Sequence, residues 1–504
     1  MKPSGPELEG GDLSPDGAEP AAPTAPAQAP AGWGWRLLSP LGIRLDPAIM
    51  RAVLRIALPF MGAMVLRNLV GIIDYKMVGA LVPVPAGASE AVRTAIQRDA
   101  LAALAVSRNV MWILVSIFMG VGIASSTFVS QLYGAGRRKD LRHYATQSLM
   151  LGIYVALFFT ALGLIFGRWF IGLLGLEPQV AAYTWDYVSI MLLGLSLIAV
   201  NFVFISVFNG LGRTEYPFFG QVVINLANIF GNWYFIPLWG VAGSAIATVI
   251  STSLVVAMFA LKLWKDGLLE LSRRVFRGMS RSLINLSLIA LPSSAQTLTR
   301  SLSMFALFAL IGHLPASMGD KSVGAAALGL GLLTESLAFM PAFAFSVAAA
   351  TLTGQHIGRG DFEGARRSVL HAGLLSFAIM TTMAAVFLIF PYPLVKFMAS
   401  GNPLVIPEGV RYIRIAALSD PFIGISMALL GCLRGAGDVR AAFGIGLIAL
   451  WGIRIPLAWA MAVPLGMGLS GIWWAMTLSA VIECGLYLWR YRSGVWTRIK
   501  IERA

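Results

Sequence analysis

Apolar runs separated by short polar breaks recur along the chain at about 54–81, 100–129, 145–167, 184–208, 218–238 and 243–264. A polar, basic stretch, KDGLLELSRRVFRGMSRS, interrupts the series, and six more runs follow at about 284–313, 324–350, 368–392, 411–433, 441–464 and 469–489. A bilayer core takes about 20 helical residues to cross, so the pattern predicts twelve transmembrane helices. Twelve such helices in succession leave no polar surface with which to cover a soluble particle. The fold class expected is therefore all-α and integral to a membrane. The expected divisions are an acidic, Pro/Ala-rich disordered tail and interfacial lead-in at 1–45, a first six-helix lobe at 46–265, a basic linker at 266–283, a second lobe at 284–490 and a basic tail at 491–504. The N-terminal tail lacks the basic-then-apolar order of a signal peptide.

Composition agrees, with 57% hydrophobic and 12% charged residues and a mean hydropathy of +0.76. A net charge of +14 would in a soluble protein suggest nucleic acid, but here the basic residues sit in short loops and no nucleic-acid partner is expected. Arg137, Arg138, Lys139 and Arg142 follow the second span, Arg273, Arg274, Arg277 and Arg281 the sixth, and Arg359, Arg366 and Arg367 the eighth. With the C-terminal tail they all fall on one side, which by the positive-inside rule places both termini in the cytoplasm and the chain in the cell membrane. The 82–99 stretch, on the other side, is read as a loop and carries Arg93 and Arg98. Cys432 and Cys484 lie inside apolar runs and read as packing residues, while the four histidines have no metal-ligand spacing.

The halves repeat one another. Leu58-Pro59 with Arg67 and Gly79 matches Leu291-Pro292 with Arg300 and Gly312 at the same offsets. TFVSQLYGAGRRKDLR at 127–142 aligns without gaps to TLTGQHIGRGDFEGAR at 351–366, and Gly240 and Gly243 correspond to Gly468 and Gly471. Because six spans is an even number, the halves share one orientation about an axis along the membrane normal, and transporters built in this way bind substrate near the interface of the repeats. An ionisable group at membrane depth is costly and marks a functional site by default. Asp74 in the first span is the leading candidate, with Arg67 on the same helix face two turns away.

These stretches resemble the multidrug and toxic compound extrusion (MATE) transporters, the NorM and DinF-like branch included. IIDYKMVGAL is similar to the family's first-span motif, TFVSQLYGAG and TLTGQHIGRG to the ends of its second and eighth spans, and NGLGRTEYP and CLRGAGDVR to its loops after spans 4 and 10. NIFGNWYFI with WGVAGSAIATVIS resembles spans 5 and 6, whose polar residues share a cavity with the first-span Asp. The resemblance implies two pseudo-symmetric six-helix lobes and a coupling and substrate site of Asp74, Asn228, Asn232 and Thr248. It implies no catalysis and no cofactor beyond a coupling proton or sodium ion. Many members have Asp where Asn232 stands, and the NorM-like branch has a span 7 Glu where this chain has Arg300. Ser419-Asp420 matches the family's span 10 pair, and Glu335 is a further carboxylate in span 8. Arg300 is thus expected to replace a bound cation, within salt-bridge reach of Asp420 or Glu335.

The function expected is a cation-coupled antiporter, proton favoured over sodium, exporting amphipathic or cationic drugs and toxic compounds as a monomer in the bilayer. Burial in an amide-lined site disfavours a charged carboxylate, which suits Asp74 to a proton, whereas sodium would want more than one anionic oxygen. A lipid-linked oligosaccharide flippase of the related superfamily is the alternative, favoured by Arg67 and Arg300 and opposed by the span count.

Overall fold

The computed structural model describes residues 45–269, 281–315, 320–398 and 403–501. The disordered-tail reading for the first 44 residues, and most of the linker reading, lie outside them. Asp46 Oδ1 accepts from the Ala48 N–H at 2.8 Å in the first described turn. The bundle itself runs from Ile49 onward.

Every regular element among the described residues is a helix. In the first half these are α1 (Pro47–Leu81), α2 (Glu90–Gly134), α3 (Arg138–Gly172), α4 (Pro178–Leu193), α5 (Leu195–Gly210) and α6 (Glu215–Lys265). The second half holds α7 (Arg281–Gly312), α8 (Lys321–Gly358), α9 (Phe362–Ile389), the short α10 (Pro391–Met398), α11 (Val405–Ala417), α12 (Asp420–Ala436), α13 (Val439–Leu447), α14 (Ile455–Ala462) and α15 (Gly468–Arg492). Seven described helices are long and apolar enough to cross a membrane, or ten if each bent pair counts as one. The count reaches twelve for two physical reasons. At 51 residues and about 1.5 Å per residue, α6 is too long for one crossing, and it breaks at Trp239 and Gly240, where Gly240 has φ +56°. Helix α7, loaded with Ser, Thr, Gln and Arg300, is the remaining span.

Several spans bend where hydropathy gives no warning. α4 and α5 form one span bent by 56° at Gly194, and α11 and α12 another bent by 52° at Leu418 and Ser419. In the eleventh span, Ile448–Arg454 widens to a π-helix just ahead of Pro456. A proline has no N–H to give the preceding turn, and π-bulges of this kind gather at functional positions. The 82–99 stretch is not all loop: Ser89 caps α2, accepting from the Val92 N–H at 3.4 Å, so α2 starts at Glu90 and projects beyond the apolar run.

The halves exchange helix ends. Val53, Ile56 and Ala57 at the start of α1 pack with Ala344, Ala348, Ala372 and Ala428 of the second half, whereas Val78 near its end packs within the first. Leu286, Ile289 and Ala290 at the start of α7 join the first half's core, and Leu307 and Ile311 return to the second. Pro59 and Pro292 sit where each helix changes sides.

At the basic end the crossing is reciprocal. Gln131 Nε2 donates to the Gly435 carbonyl at 2.9 Å and Gln355 Nε2 to the Gly210 carbonyl at 3.0 Å. Thr127 Oγ1 donates to the Arg434 carbonyl and Thr351 Oγ1 to the Asn209 carbonyl, at 2.9 and 2.8 Å. A Cβ on Gly134 would overlap the Gln355 carbonyl, and one on Gly358 the Gln131 carbonyl. The two aligned glycine motifs are thus the surfaces on which α2 and α8 touch.

Candidate functional site

In the first half, Gln221, Asn225, Asn228 and Asn232 recur at helical spacing down one face of α6, and all four are buried. Buried amides in a bilayer must find partners, and these find each other and α1. Gln221 Nε2 donates to Asn225 Oδ1 and Asn225 Nδ2 to the Leu66 carbonyl, both at 2.8 Å. Asn228 Nδ2 donates to Thr248 Oγ1 at 3.1 Å, and Thr248 Oγ1 to the Ser244 carbonyl at 2.9 Å. Asn232 Nδ2 is shared between Asn228 Oδ1 at 3.0 Å and Asp74 Oδ1 at 2.7 Å. The structure therefore brings Asp74, Asn228, Asn232 and Thr248 into one hydrogen-bonded chain that ends on the carboxylate. Asn232 Oδ1 has no hydrogen-bond partner among the described residues.

Arg67 stands apart from this chain, its guanidinium 5.7 Å from the Phe202 ring. The cation nearer the carboxylate is Arg108 of α2, which donates to the Gly71 carbonyl at 3.0 Å and lies over Tyr75. The buried Tyr187 of α4 faces Asp74 and Thr248. Sequence reasoning passed over Arg108, Tyr187, Gln221 and Asn225. A charge inside an apolar run and the 4-3-4 spacing of the α6 amides were the signals available for three of them; Tyr187 offers none.

In the second half the expected pairing is overturned. Arg300 Nη2 meets Glu483 Oε1 of α15 at 2.9 Å, not Asp420 or Glu335. Glu335 instead accepts from the Tyr412 hydroxyl at 3.1 Å. Asp420, 2% exposed at the start of α12, has an Oδ2 with no hydrogen-bond partner among the described residues. Arg454, in the π segment, donates to Ser479 Oγ at 2.8 Å. Arg300, Glu335, Arg454 and Glu483 line a cavity of about 60 Å³ with Ser419 and Thr477. The reason for the altered pairing is local: Glu483 lies within reach across the contact with α15, while Tyr412 engages Glu335. Glu483 and Arg454 are again charges inside apolar runs that the sequence reading did not single out.

The MatE family model matches the chain twice, over residues 59–234 and 292–460, each match starting on the proline of a Leu-Pro pair. The chain belongs to the MatE family. Similar proteins include a probable multidrug resistance protein NorM from Thermotoga maritima, 26% identical over 90% of this chain and 94% of that one. A second NorM, from Agrobacterium fabrum, is 26% identical over 85% of this chain and 90% of its own. Among solved structures, a Vibrio cholerae MATE transporter has a TM-score of 0.79 at 21% identity, covering 90% of this chain and 99% of that one. A MOP superfamily transporter from Pyrococcus furiosus, described as having a binding pocket of reverse polarity that suggests a different function, also has a TM-score of 0.79, at 19% identity over 91% and 100%. The twelve-helix, two-lobe MatE architecture is the one found here. The double match sets the register of the halves from Pro59 and Pro292 onward.

Proposed function

We propose that this MatE protein is a proton-coupled antiporter of the cell membrane, both termini cytoplasmic, exporting amphipathic or cationic small molecules, with Asp74 as the coupling group. The observation that carries the reading is a lone carboxylate at the end of an amide chain. Ionised, Asp74 accepts from Asn232 and presents negative charge to a cationic cargo. Protonated, it becomes a donor, and a half-turn of the Asn232 amide presents the unpartnered Oδ1 to receive that proton in a hydrogen bond. The rest of the chain, through Asn228 and Thr248, then feels a reversed dipole at its end. Outside protonation would thereby release cargo, and inside deprotonation would restore the site. Sodium sites in transporters draw on unwound backbone carbonyls, whereas the group that meets the Asp74 carboxylate here is an amide N–H, that of Asn232.

The test is ethidium efflux from sodium-free proteoliposomes driven by a pH jump. Wild type is expected to respond and Asp74→Asn to lose the response; undiminished efflux in the variant, or an absolute sodium requirement in wild type, overturns the reading. Arg67 and Arg108, two cationic side chains on helices α1 and α2 of the first lobe, favour the second reading, a lipid-linked oligosaccharide flippase. Translocation of such a lipid in the same vesicles without ethidium efflux would decide for it.

A further inference from the structure

A second cavity, of about 210 Å³, opens at the basic end between the start of α7, the α12–α13 turn and the C-terminal segment. Its walls divide by chemistry. Leu288, Ile289 and Ile501 make it apolar on one side, and Asn285, Arg440 and Lys500 make it polar and cationic on the other. Asp438 also lines it, but its carboxylate is taken by Arg490 at 2.7 Å. No ion pair is formed by Arg440 or Lys500 among the described residues, which leaves two positive charges uncompensated within that set.

What lies beneath the cavity decides the kind of ligand. Ile284, Leu288 and Leu291 follow one another along a single face of α7, with Ile284 and Leu291 exposed. Leu447 lies seven residues after Arg440 on α13, which packs beside α7, and Leu447 and Ile448 are exposed too. The exposed apolar residues of α7, with Leu447 at the end of α13 and Ile448 just after it, therefore follow the cationic mouth along both helices towards the membrane interior. Free phosphate would use only the mouth; a diacyl phosphate would use both.

We propose that this cavity seats the phosphate of an anionic phospholipid from the leaflet on the basic side, its acyl chains lying along α7 and α13. The inference rests on the reading of the chain as membrane-spanning and not on its cargo or coupling ion. Basic residues at the interface attract anionic headgroups wherever they lie, and the shaped cavity is what makes these two specific.

The experiment is native mass spectrometry of the full chain in detergent, titrated separately with phosphatidylglycerol, phosphatidylcholine and inorganic phosphate. Arg440→Gln/Lys500→Gln, with each single variant beside it, is compared with a charge-matched control, Arg138→Gln/Lys139→Gln, from the same side. Wild type and control are expected to retain phosphatidylglycerol in preference to phosphatidylcholine, and the cavity variant to bind it roughly 10- to 30-fold more weakly. Equal retention of phosphatidylcholine, equal weakening in the control, or binding of inorganic phosphate as well as the lipid would each overturn the proposal. Ethidium efflux on the same preparations keeps its failure apart from that of the transport reading.

Discussion

Within the second lobe the Arg300 guanidinium and the Glu483 carboxylate are each other's ion-pair partner at 2.9 Å. Removing one member of such a pair leaves a charge with a desolvation cost and no compensation, which for full burial costs about 3–5 kcal/mol. Because the Arg300 side chain keeps 30% of its surface, Glu483→Gln is expected to destabilise by the lower part of that range. Adding Arg300→Met should restore most of the loss in a thermal unfolding series; a double variant no better than the single one would show that the pair is not the unit. A second prediction belongs to the loop between α8 and α9. Asp361 caps α9 by accepting from the Gly364 N–H at 2.8 Å and meets His356 Nδ1 at 2.8 Å. The backbone bond, more than His356, holds its carboxyl below the usual range. A depressed folded value contributes stability above the unfolded value, about 3.9, that is lost as pH falls through the folded one. Asp361→Ala should therefore cost about 0.5–1 kcal/mol at neutral pH, a difference from wild type that shrinks as the pH is lowered from 5 to 3.

Among the elements, the turns that join spans 5 to 6 and 11 to 12 use glycine for the same backbone reason in both halves. Gly240 and Gly468 each have φ +56°, and a side chain in such regions costs about 1–3 kcal/mol. Gly240→Ala and Gly468→Ala are expected to lose similar amounts of thermal stability; a loss in only one would break the equivalence of the halves. These glycines were legible as a repeat because backbone requirements survive in the sequence as residue identity. The twelve crossings were legible because each must be apolar over its length. The bends at Gly194 and Ser419 and the π segment were not, since a run of apolar residues reads the same whether its helix is straight or broken. The α6 amides illustrate the middle case: Asn228 and Asn232 were found by resemblance, and Gln221 and Asn225 complete the same face by spacing alone. The partner of Arg300 was missed because charge pairing depends on which helices touch, and α7 touches α15 through a packing arrangement that linear order does not contain.

For the whole molecule, the exchange of helix ends means that neither half can rock without α1 and α7 sliding against the opposite core. Rocking of two repeats about a central site is how transporters of this build alternate access, so the contacts at the basic end set how readily that side opens. Two of those contacts are related by the repeat: Gln131 to the Gly435 carbonyl and Gln355 to the Gly210 carbonyl, both with donors on one of the crossing helices α2 and α8. A hydrogen bond of this sort is worth about 0.5–1.5 kcal/mol net, and the paired loss in Gln131→Leu/Gln355→Leu then approaches 2 kcal/mol, about a 30-fold shift in a two-state balance. Spin labels introduced at Arg138 and Glu363, one on each half beside the crossing, should report a new population at longer distance in the double variant and a smaller one in each single variant. Ethidium efflux should fall, because a balance shifted about 30-fold towards opening on the basic side slows the half of the cycle that closes it. The glycine contacts offer an independent lever on the same equilibrium: Gly358→Ala inserts a methyl where the Gln131 carbonyl lies and should shift the distances in the same direction without removing any hydrogen-bonding side chain. If both changes leave the distances as in wild type, closure is held by the apolar packing of α1 and α7 across the halves and not by the α2–α8 crossing.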